Sequence, residues 1–531
     1  MEFAKLLEHR QPGWYRWCLG LLAIMLTGLA LRLYTIGSES LWLDEGFSAL
    51  AATRPTLEDV LTFIYREDLH PPLYYVILHF WIGWFGDSET AMRILSAIFG
   101  TLSIPLVYRL GRDLMDRKTA SLAALLAAIC VYHVFFGQEV RGYSLFAFLA
   151  LLSMVFWVRL FVRPGVVTTV GYVMCTVLTL YSHPYGVFHV ACQNVMFVVL
   201  WLLERPLRLG WPGWIGVQSM VGLAFSPWIT VTFRNVGRAH QGQASMLIPS
   251  IWDIPGALKA FAGDADFIAT WSGERFWLGG LYVVLMLVGL WPARWGRKWR
   301  HEEAGILQED SPVRRQGVVL VSVWLACTIL IPYIVTMLSV PVFSNRYMIS
   351  GSFAFLLLVA RGVLQVPWWP LRGAVGAGVL LSQVWMLVPY YTQVNKEQWR
   401  EIVSDVESRA QPWDVVLFHA PYCRTAIYWY YARRDDLVYK GYPSRSDPRQ
   451  VNPRTIQEEL LPLLESQNRV CLILAHSFDK EGLIRKALDQ EYVCTYSRQY
   501  YRGSVSFHQR RSGAPSSTVP METNPSAPTD P

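Results

Sequence analysis

This sequence has few charged residues. Only 16% of the 531 residues are Asp, Glu, Lys or Arg, whereas a soluble domain carries about 25%. Hydrophobic residues make up 53% of the chain and aromatic residues 14%. A chain this poor in charge and this rich in long apolar runs is not an ordinary soluble domain, and the composition predicts a polytopic membrane protein.

Cysteine motifs and phosphate loops are also missing. None of the eight cysteines has CxxC or CxxxH spacing, and four of them, Cys130, Cys175, Cys192 and Cys327, lie inside apolar runs. A disulfide could form only among Cys423, Cys471 and Cys494 in the polar C-terminal part. The chain has no Gly-rich loop of the P-loop type, so nothing in it indicates a bound nucleotide. It also has no internal repeat.

Apolar runs of membrane-spanning length dominate the first 390 residues. The first run, 17–36, follows Lys5, Arg10 and Arg16 and lacks an A-x-A cleavage site, which favours an uncleaved anchor over a signal peptide. We predict about eleven spans by length and hydropathy. They cover 17–36, 92–110, 119–136, 143–162, 166–182, 186–203, 212–232, 277–293, 317–338, 348–365 and 371–389.

The location of the basic residues supports this count. Alternating the spans places the Arg and Lys clusters at 109–118, 159–163, 205–208 and 294–315 on the cytoplasmic side, as the positive-inside rule requires. The basic residues behind the formal charge of +7 therefore mark the cytoplasmic side of a membrane. They do not indicate a protein that binds nucleic acid. Segment 71–85 is apolar but too short for a full span, and we expect an interfacial helix there.

The predicted organisation has three parts. Residues 1–391 form a transmembrane domain with a large first outer loop (37–89) and a second one (234–276). Residues 392–510 are charged and alternate short apolar runs with helical patterns such as 399–409, which predicts a small extracytoplasmic α/β domain. Residues 511–531 are rich in Ser, Thr and Pro, and we expect a disordered tail.

The first outer loop carries two adjacent carboxylates, Asp44 and Glu45, in Ser-Leu-Trp-Leu-Asp-Glu-Gly. One interpretation is a solvated acidic turn that caps a following helix at Gly46–Ala52. Another is a general base, with Glu45 supporting Asp44 and apolar neighbours tuning it. The pair could also hold a divalent cation. The sequence does not rank these three.

Polar motifs that interrupt the spans at 138–143, 181–185 and 344–347 are all predicted on the outer face, together with Asp44 and His70 of the first outer loop. His70 precedes a proline pair, which is either an interfacial helix start or a donor to a phosphate oxygen. In Gln-Glu-Val-Arg-Gly-Tyr, Glu139 and Arg141 either lock two helices together or present Arg141 to a phosphate. The remaining motifs are Tyr-Ser-His-Pro-Tyr-Gly, with His183 and Tyr185, and Asn-Arg-Tyr, with Arg346 and Tyr347. Arg346 could snorkel to lipid headgroups or bind an anionic lipid phosphate.

Taken in order, these motifs resemble those of the bacterial GT-C glycosyltransferases of the protein-O-mannosyltransferase and aminoarabinose-transferase superfamily, especially the Rgt-like branch. The resemblance covers roughly residues 15–390. It implies a multi-spanning GT-C fold in the cytoplasmic membrane with its active site outside, and a polyprenyl-phosphate sugar donor. The acceptor would be a lipid, a polysaccharide or a protein.

The resemblance also implies residue roles. Asp44 would be the catalytic base, with Glu45 beside it, and Arg346 would meet the lipid phosphate. Arg141 and Tyr143 match the third family motif. Related aminoarabinose transferases have lysine before the proline pair, where this chain has His70, so that role would depend on a protonated imidazole. The residues expected to bind the donor phosphate are thus His70, Arg141, Tyr143, Arg346 and Tyr347. The residues expected to line the substrate pocket are Glu139, His183 and Tyr185.

The expected reaction is an inverting displacement that needs no nucleotide and no cofactor beyond an optional divalent cation. The alternatives are a transporter of polyprenyl-linked glycans or lipids, a non-catalytic assembly subunit, and an oligosaccharide ligase that uses a diphosphate-linked donor. A transporter would show charges near mid-membrane and two halves of similar pattern, and the sequence shows neither clearly.

Overall fold

The computed structural model describes residues 14–242, 249–264, 276–291, 311–444, 447 and 449–511. The contacts between its residues divide the chain into two compact units. The described residues of the first unit fall within 14–36, 55–86 and 91–390, and those of the second within 37–54, 87–90 and 391–511. The tail predicted for 511–531 lies almost entirely outside the described residues, as do the basic residues predicted inside at 294–300 and parts of the second outer loop.

The main helices are α1 (Trp14–Leu33), α2 (Leu43–Ala52), α3 (Leu57–Glu67), α4 (Leu73–Phe85), α5 (Glu89–Leu114), α6 (Arg117–Ile129), α7 (Val131–Gly137), α8 (Tyr143–Val162), α9 (Val166–Ser182), α10 (Gly186–Leu203), α11 (Trp211–Gly242), α12 (Asp253–Phe261), α13 (Phe276–Leu290), α14 (Gly317–Leu338), α15 (Ile349–Gln365), α16 (Trp369–Thr392), α17 (Trp399–Arg409) and α18 (Leu483–Glu491). A single turn, Pro312–Arg315, precedes α14. Helices α2, α17 and α18 belong to the second unit.

The first unit is a multi-pass membrane protein fold. Within the described ranges, seven helices are long and apolar enough to cross a membrane, and α6 with α7 makes an eighth if the two are one bent span. Shorter apolar helices are α4, α9, residues Leu278–Leu290 of α13, and α15. Three of these four coincide with predicted spans, while α4 is the helix that we expected at the interface. The number eleven stays a prediction.

Two predicted spans need correction. The run 119–136 is not one straight helix, because α6 and α7 meet at Cys130 with a bend of 55°. Cys130 has φ −63° and ψ 122°, an extended conformation that ends α6 and lets α7 begin in a new direction. The span predicted over 212–232 continues as α11 to Gly242, into the segment that we assigned to the second outer loop. Helices α8, α9 and α10 have the predicted bounds.

The second unit contains a five-stranded mixed sheet in the order β2-β1-β3-β5-β4. The strands are β1 (Val415–His419), β2 (Val438–Gly441), β3 (Arg469–Ala475), β4 (Tyr492–Tyr500) and β5 (Gly503–Arg510). Strand β1 runs parallel to both β2 and β3, whereas β5 is antiparallel to β3 and β4. The apolar run Val415–Phe418 is buried because helical segments cover the sheet. The α/β character predicted for this part of the chain is confirmed, and its location outside the cytoplasm stays a prediction.

Helical turns connect these strands. Two π-helical turns, Arg424–Tyr428 and Ile456–Leu460, continue into short α-helical turns at Trp429–Tyr431 and Leu461–Leu464, and a further turn covers Pro453–Thr455. The predicted helix over 399–409 is α17 with the same bounds. All eight cysteines are free, so no disulfide forms among Cys423, Cys471 and Cys494.

Helix α2 packs on the C-terminal part of the second unit through a glycine. A Cβ on Gly46 would lie 2.4 Å from both the carbonyl oxygen of Ala426 and the Cδ1 atom of Ile427. Only glycine lets the α2 backbone approach the turn Arg424–Tyr428 this closely. The segment that carries Asp44 therefore folds as part of the second unit, although it lies about 370 residues before the sheet in the chain.

Candidate functional site

In the first unit, the carboxylate of Asp68 organises the loop before α4. Its Oδ1 atom accepts hydrogen bonds from the backbone N–H groups of Leu69 (2.7 Å) and His70 (3.1 Å), and lies 2.9 Å from His70 Nδ1. This Asx-type turn is possible because Pro71 and Pro72 delay the helix to Leu73. The turn fixes the position of the His70 ring.

The same carboxylate connects His70 to Arg141. Tyr75, on the first turn of α4, donates its hydroxyl to Asp68 Oδ2, and Arg141 Nη1 donates to the Tyr75 hydroxyl at 3.3 Å. Burial raises the pKa of Asp68, but His70, Arg141 and Tyr75 outweigh that effect and hold it well below its usual value. The result is a continuous chain of hydrogen bonds from His70 to Arg141 around one anionic carboxylate.

An aromatic cluster lies beside this chain. The Tyr347 ring stacks on Tyr143 with a centroid distance of 6.1 Å and an interplanar angle of 24°, and it lies 5.0 Å from His183 and 5.3 Å from Tyr185. The His70 ring lies 5.3 Å from His183 and 6.3 Å from Tyr347. Five residues that the sequence placed in four separate motifs therefore share one cluster.

His183 presents a specific hydrogen-bond donor to this cluster. Its Nδ1 atom accepts a hydrogen bond from Tyr185 N–H at 3.2 Å, and burial, with His70 and Arg141, holds its pKa well below the ordinary value. The ring is therefore neutral with its proton on Nε2. That buried Nε2 has no hydrogen-bond partner among the described residues. A buried donor in this state is suited to an incoming acceptor.

An apolar groove of about 170 Å³ begins at the cluster. His70, His183 and Tyr347 line its polar end. The rest of its lining comes mainly from α9, α10, α11 and the segment 340–344, and it includes Leu180, Val187, Phe188, Phe225, Trp228 and Phe343. An apolar channel that ends in imidazole and phenol groups fits an amphiphile with a long apolar chain and a polar head.

The other predicted site residues of the first unit, Glu139 and Arg346, lie close in the chain to Arg141 and Tyr347. Glu139 is buried at the C-terminal end of α7, and its neighbour Gln138 donates to the carbonyl oxygens of Arg32 (3.0 Å) and Tyr34 (2.7 Å). Tyr132 donates to the carbonyl oxygen of Asn345 at 2.6 Å, which holds the segment that carries Arg346 and Tyr347. Arg346 is half-buried next to the cluster residue Tyr347.

In the second unit, Asp44 and Glu45 lie within the first turn of α2 and not ahead of it, which corrects the helix start predicted at Gly46. Glu45 caps the helix by accepting from Trp42 N–H at 3.3 Å, but it is fully buried and pairs with Lys396 Nζ at 3.0 Å. The interpretation as a solvated acidic turn is therefore wrong for Glu45. Asp44 is half-buried.

Lys396 and Glu397 hold the segment on both sides of Asp44. Lys396 binds Glu45, the residue after Asp44, and Glu397 Oε2 accepts from the backbone N–H of Leu43, the residue before it, at 3.2 Å. Ser40 Oγ also donates to the carbonyl oxygen of Glu397 at 2.5 Å. Asp44 is thus presented by a segment whose two flanking residues are both fixed.

Four residues of these two sites were not predicted from the sequence, namely Asp68, Tyr75, Lys396 and Glu397. Asp68 and Tyr75 lie within the motif Asp-Leu-His-Pro-Pro-Leu-Tyr-Tyr, and the i, i+2 spacing of Asp68 and His70 before a proline pair was an available signal for an Asx turn. No local signal pointed to Lys396 and Glu397, because their partners are about 350 residues away. Throughout the described ranges, no group of three or more His, Cys, Asp or Glu side chains is arranged to hold a metal ion.

A family model described as dolichyl-phosphate-mannose-protein mannosyltransferase matches residues 69–178. The match includes His70, Glu139, Arg141 and Tyr143, and it does not reach Asp44. The comparison with curated protein sequences found no match. Solved structures extend the likeness over nearly the whole chain. Apo ArnT from Cupriavidus metallidurans aligns with a TM-score of 0.55 at 12% identity, over 93% of this chain and 98% of that one.

The chain has the GT-C glycosyltransferase fold. ArnT bound to undecaprenyl phosphate aligns with a TM-score of 0.54 at 11% identity, over 93% of this chain and 98% of that chain. Archaeal oligosaccharyltransferase AglB from Archaeoglobus fulgidus, in complex with an inhibitory peptide and a dolichol-phosphate, aligns with a TM-score of 0.52 at 10% identity, over 92% and 74% of the two chains. In this GT-C chain, the His70 cluster belongs to the first unit and the Asp44 segment to the second.

Proposed function

We propose that this GT-C protein transfers a sugar from a polyprenyl-phosphate donor to a hydroxyl group of an extracytoplasmic acceptor, with inversion at the anomeric carbon. The observation that carries the proposal is the apolar groove with His70, His183 and Tyr347 at its polar end. A polyprenyl chain matches the apolar lining, and a phosphate matches a cluster of hydrogen-bond donors.

The side chains that would donate hydrogen bonds to the phosphate differ in their roles. His183 offers an unpartnered Nε2–H at a buried position, and Tyr347 lies against its ring. Arg141 and Arg346 supply positive charge, and the planar guanidinium group of arginine suits a phosphate. Asp68 holds the His70 ring through Nδ1, as a carboxylate behind a functional imidazole commonly does.

Asp44 is the proposed base. Its carboxylate takes the proton from the acceptor hydroxyl as that oxygen attacks the anomeric carbon, and the bond from that carbon to the donor phosphate oxygen breaks. The bonding electron pair leaves with the polyprenyl phosphate, whose growing charge is stabilised by Arg141, Arg346 and the imidazoles. Because phosphate is a good leaving group, the scheme needs no general acid.

The ligands of the structural neighbours support this donor class. ArnT has been solved with undecaprenyl phosphate and AglB with a dolichol-phosphate. The likeness to AglB, an oligosaccharyltransferase, also supports a second candidate function. In that function the protein would transfer an oligosaccharide from a diphosphate-linked donor. The two candidates differ in their lipid product, which is a polyprenyl phosphate in the first case and a diphosphate in the second.

The test uses full-length protein in lipid bilayers, short-chain polyprenyl-phosphate sugars that differ in the sugar, matching diphosphate donors, and an extract of cell-envelope acceptors. The measurement is release of free lipid phosphate or diphosphate by wild type, Asp44→Asn and the control Asp87→Asn. Asp87 is an exposed carboxylate of the second unit. Binding of each donor is measured in parallel.

We expect wild type and Asp87→Asn to release polyprenyl phosphate from one donor. Asp44→Asn should bind that donor with unchanged affinity and turn it over at least about a hundredfold more slowly, the range for loss of a general base. Turnover by Asp44→Asn at the wild-type rate would remove Asp44 from the mechanism. Release of diphosphate alone would replace the proposal with the ligase reaction.

A further inference from the structure

Glu397 is a buried carboxylate with three partners from three parts of the second unit. Its Oε2 atom accepts from Leu43 N–H at 3.2 Å and from Trp399 Nε1–H at 2.7 Å, and its Oε1 atom lies 2.7 Å from His476 Nε2. The side chain of Glu397 is 2% exposed. A carboxylate this deeply buried needs a cationic or hydrogen-bonding partner for each oxygen. His476 supplies the partner for Oε1.

His476 directly follows β3, and its backbone has a left-handed conformation with φ +52°. A histidine in this region carries a conformational cost that glycine would avoid, so the surrounding contacts must hold it there. Strand β3 is parallel to β1, and the carboxyl ends of parallel strands are where α/β domains place functional groups. The left-handed turn places the His476 ring against Glu397.

The charges around His476 favour the imidazolium form. Burial lowers its pKa, but the Glu397 carboxylate, whose Oε1 atom lies 2.7 Å from Nε2, and the charge of Asp44 raise it above the ordinary value, with Arg502 acting in the opposite direction. His476 therefore lies against Glu397 at an ion-pair distance of 2.7 Å, as Lys396 lies against Glu45 at 3.0 Å. The Tyr422 ring, with its centroid 6.2 Å from that of His476, covers another side.

We propose that His476 is a positioning residue for Asp44. As an imidazolium it holds Glu397 in the orientation in which the other carboxylate oxygen binds Leu43 N–H, and this bond fixes the first turn of α2. The C-terminal sheet domain thereby sets the position of the base of the GT-C reaction. This inference rests on the proposed function, in which Asp44 is the base.

Two measurements on full-length protein in bilayers test the inference. The first is amide hydrogen exchange of residues 41–46 in wild type, His476→Gln and Glu397→Gln, which needs no substrate. The second is kcat and donor KM for the polyprenyl-phosphate sugar that wild type consumes, in the single variants and in Asp44→Asn/His476→Gln. The matched control is His508→Gln, a buried histidine of β5 whose Nε2 contacts Ser506 Oγ at 2.9 Å.

We expect His476→Gln and Glu397→Gln to increase exchange at residues 41–46 at least about tenfold, because the bond to Leu43 N–H is weakened. His476→Gln should lower kcat at least about tenfold with donor KM changed less than about twofold, the pattern of a lost transition-state interaction. In the Asp44→Asn background the same change should cause no further loss, since His476 acts through Asp44. His508→Gln should match wild type in both measurements.

If amide hydrogen exchange at residues 41–46 stays at the wild-type rate in both His476→Gln and Glu397→Gln, the inference is overturned, whether or not the protein consumes a sugar donor. A further tenfold loss on adding His476→Gln to Asp44→Asn would also overturn it, because His476 would then act independently. These outcomes are distinct from failure of the proposed function itself, in which Asp44→Asn turns over donor at the wild-type rate while exchange at residues 41–46 still responds to His476→Gln.

Discussion

Lys396 Nζ lies 3.0 Å from Glu45 Oε1, and the two side chains are 4% and 0% exposed. These residues are 351 positions apart in the chain, so their pair connects the first turn of α2 to the segment before α17. Breaking a buried pair leaves one uncompensated charge, and this is more costly than losing an exposed pair.

We expect Glu45→Gln or Lys396→Met to destabilise the second unit by about 3–5 kcal/mol, the usual cost of removing one partner from a buried ion pair. The double variant Glu45→Gln/Lys396→Met should recover part of that loss, since neither charge is then left alone. The measurement is denaturant unfolding of the full-length protein followed by tryptophan fluorescence. Arg454→Met removes an exposed pair with Glu458 and should leave unfolding unchanged. Equal midpoints for all variants would contradict this prediction.

Gly46→Ala should destabilise the packing of α2. The new Cβ would lie 2.4 Å from the carbonyl oxygen of Ala426, so the backbone of α2 or of the turn must shift, at a cost of about 1–3 kcal/mol for an overpacked site. Gly83→Ala on α4 is the control, because nothing lies within 4 Å of a Cβ there. Thermal unfolding of both variants measures the difference, and a Gly46→Ala protein as stable as Gly83→Ala would show that α2 does not pack as closely as described.

The contribution of Asp68 to stability should depend on pH in a defined direction. The pKa of Asp68 is lowered in the folded protein, so its stabilising effect is complete above its unfolded pKa of about 3.9 and is lost as pH falls toward the folded value. We therefore expect Asp68→Asn to melt below wild type at pH 7 and the gap to narrow as pH falls below about 4. A gap that stays constant from pH 7 to pH 3 would show that Asp68 is not held as an anion.

Filling the apolar groove should block the lipid chain of the donor. Val187 on α10 lines the groove, and Val187→Trp places a bulky ring in it. We expect donor KM to rise at least about tenfold, which corresponds to roughly 1.4 kcal/mol of lost binding. Val195→Trp on the same helix is the control, because Val195 is similarly exposed but does not line the groove. Equal KM values for the two variants would place the lipid elsewhere.

Local pattern was sufficient to predict much of the fold. Apolar runs of span length identified α8, α9, α10 and α14, and alternating apolar and helical patterns identified the sheet domain. The break at Cys130 was not predictable because residues 122–132 are uniformly apolar and contain no proline that would mark the change of direction. The start of α2 was misplaced because Leu43 begins the helix only when Glu45 and Glu397 satisfy its first backbone N–H groups.

Composition and motif order by themselves determined the membrane class, the resemblance to GT-C glycosyltransferases and the identity of most candidate site residues, because hydropathy and short motifs are local properties. Only the tertiary structure decided which of those residues meet. It brought Tyr347 onto Tyr143 and His183 and connected His70 to Arg141 through Asp68 and Tyr75. It also bound Lys396 to Glu45 and Glu397 to Leu43, the two residues that flank Asp44 in the chain. Such contacts join residues up to about 350 positions apart, and their energies depend on burial and orientation, which no local pattern encodes.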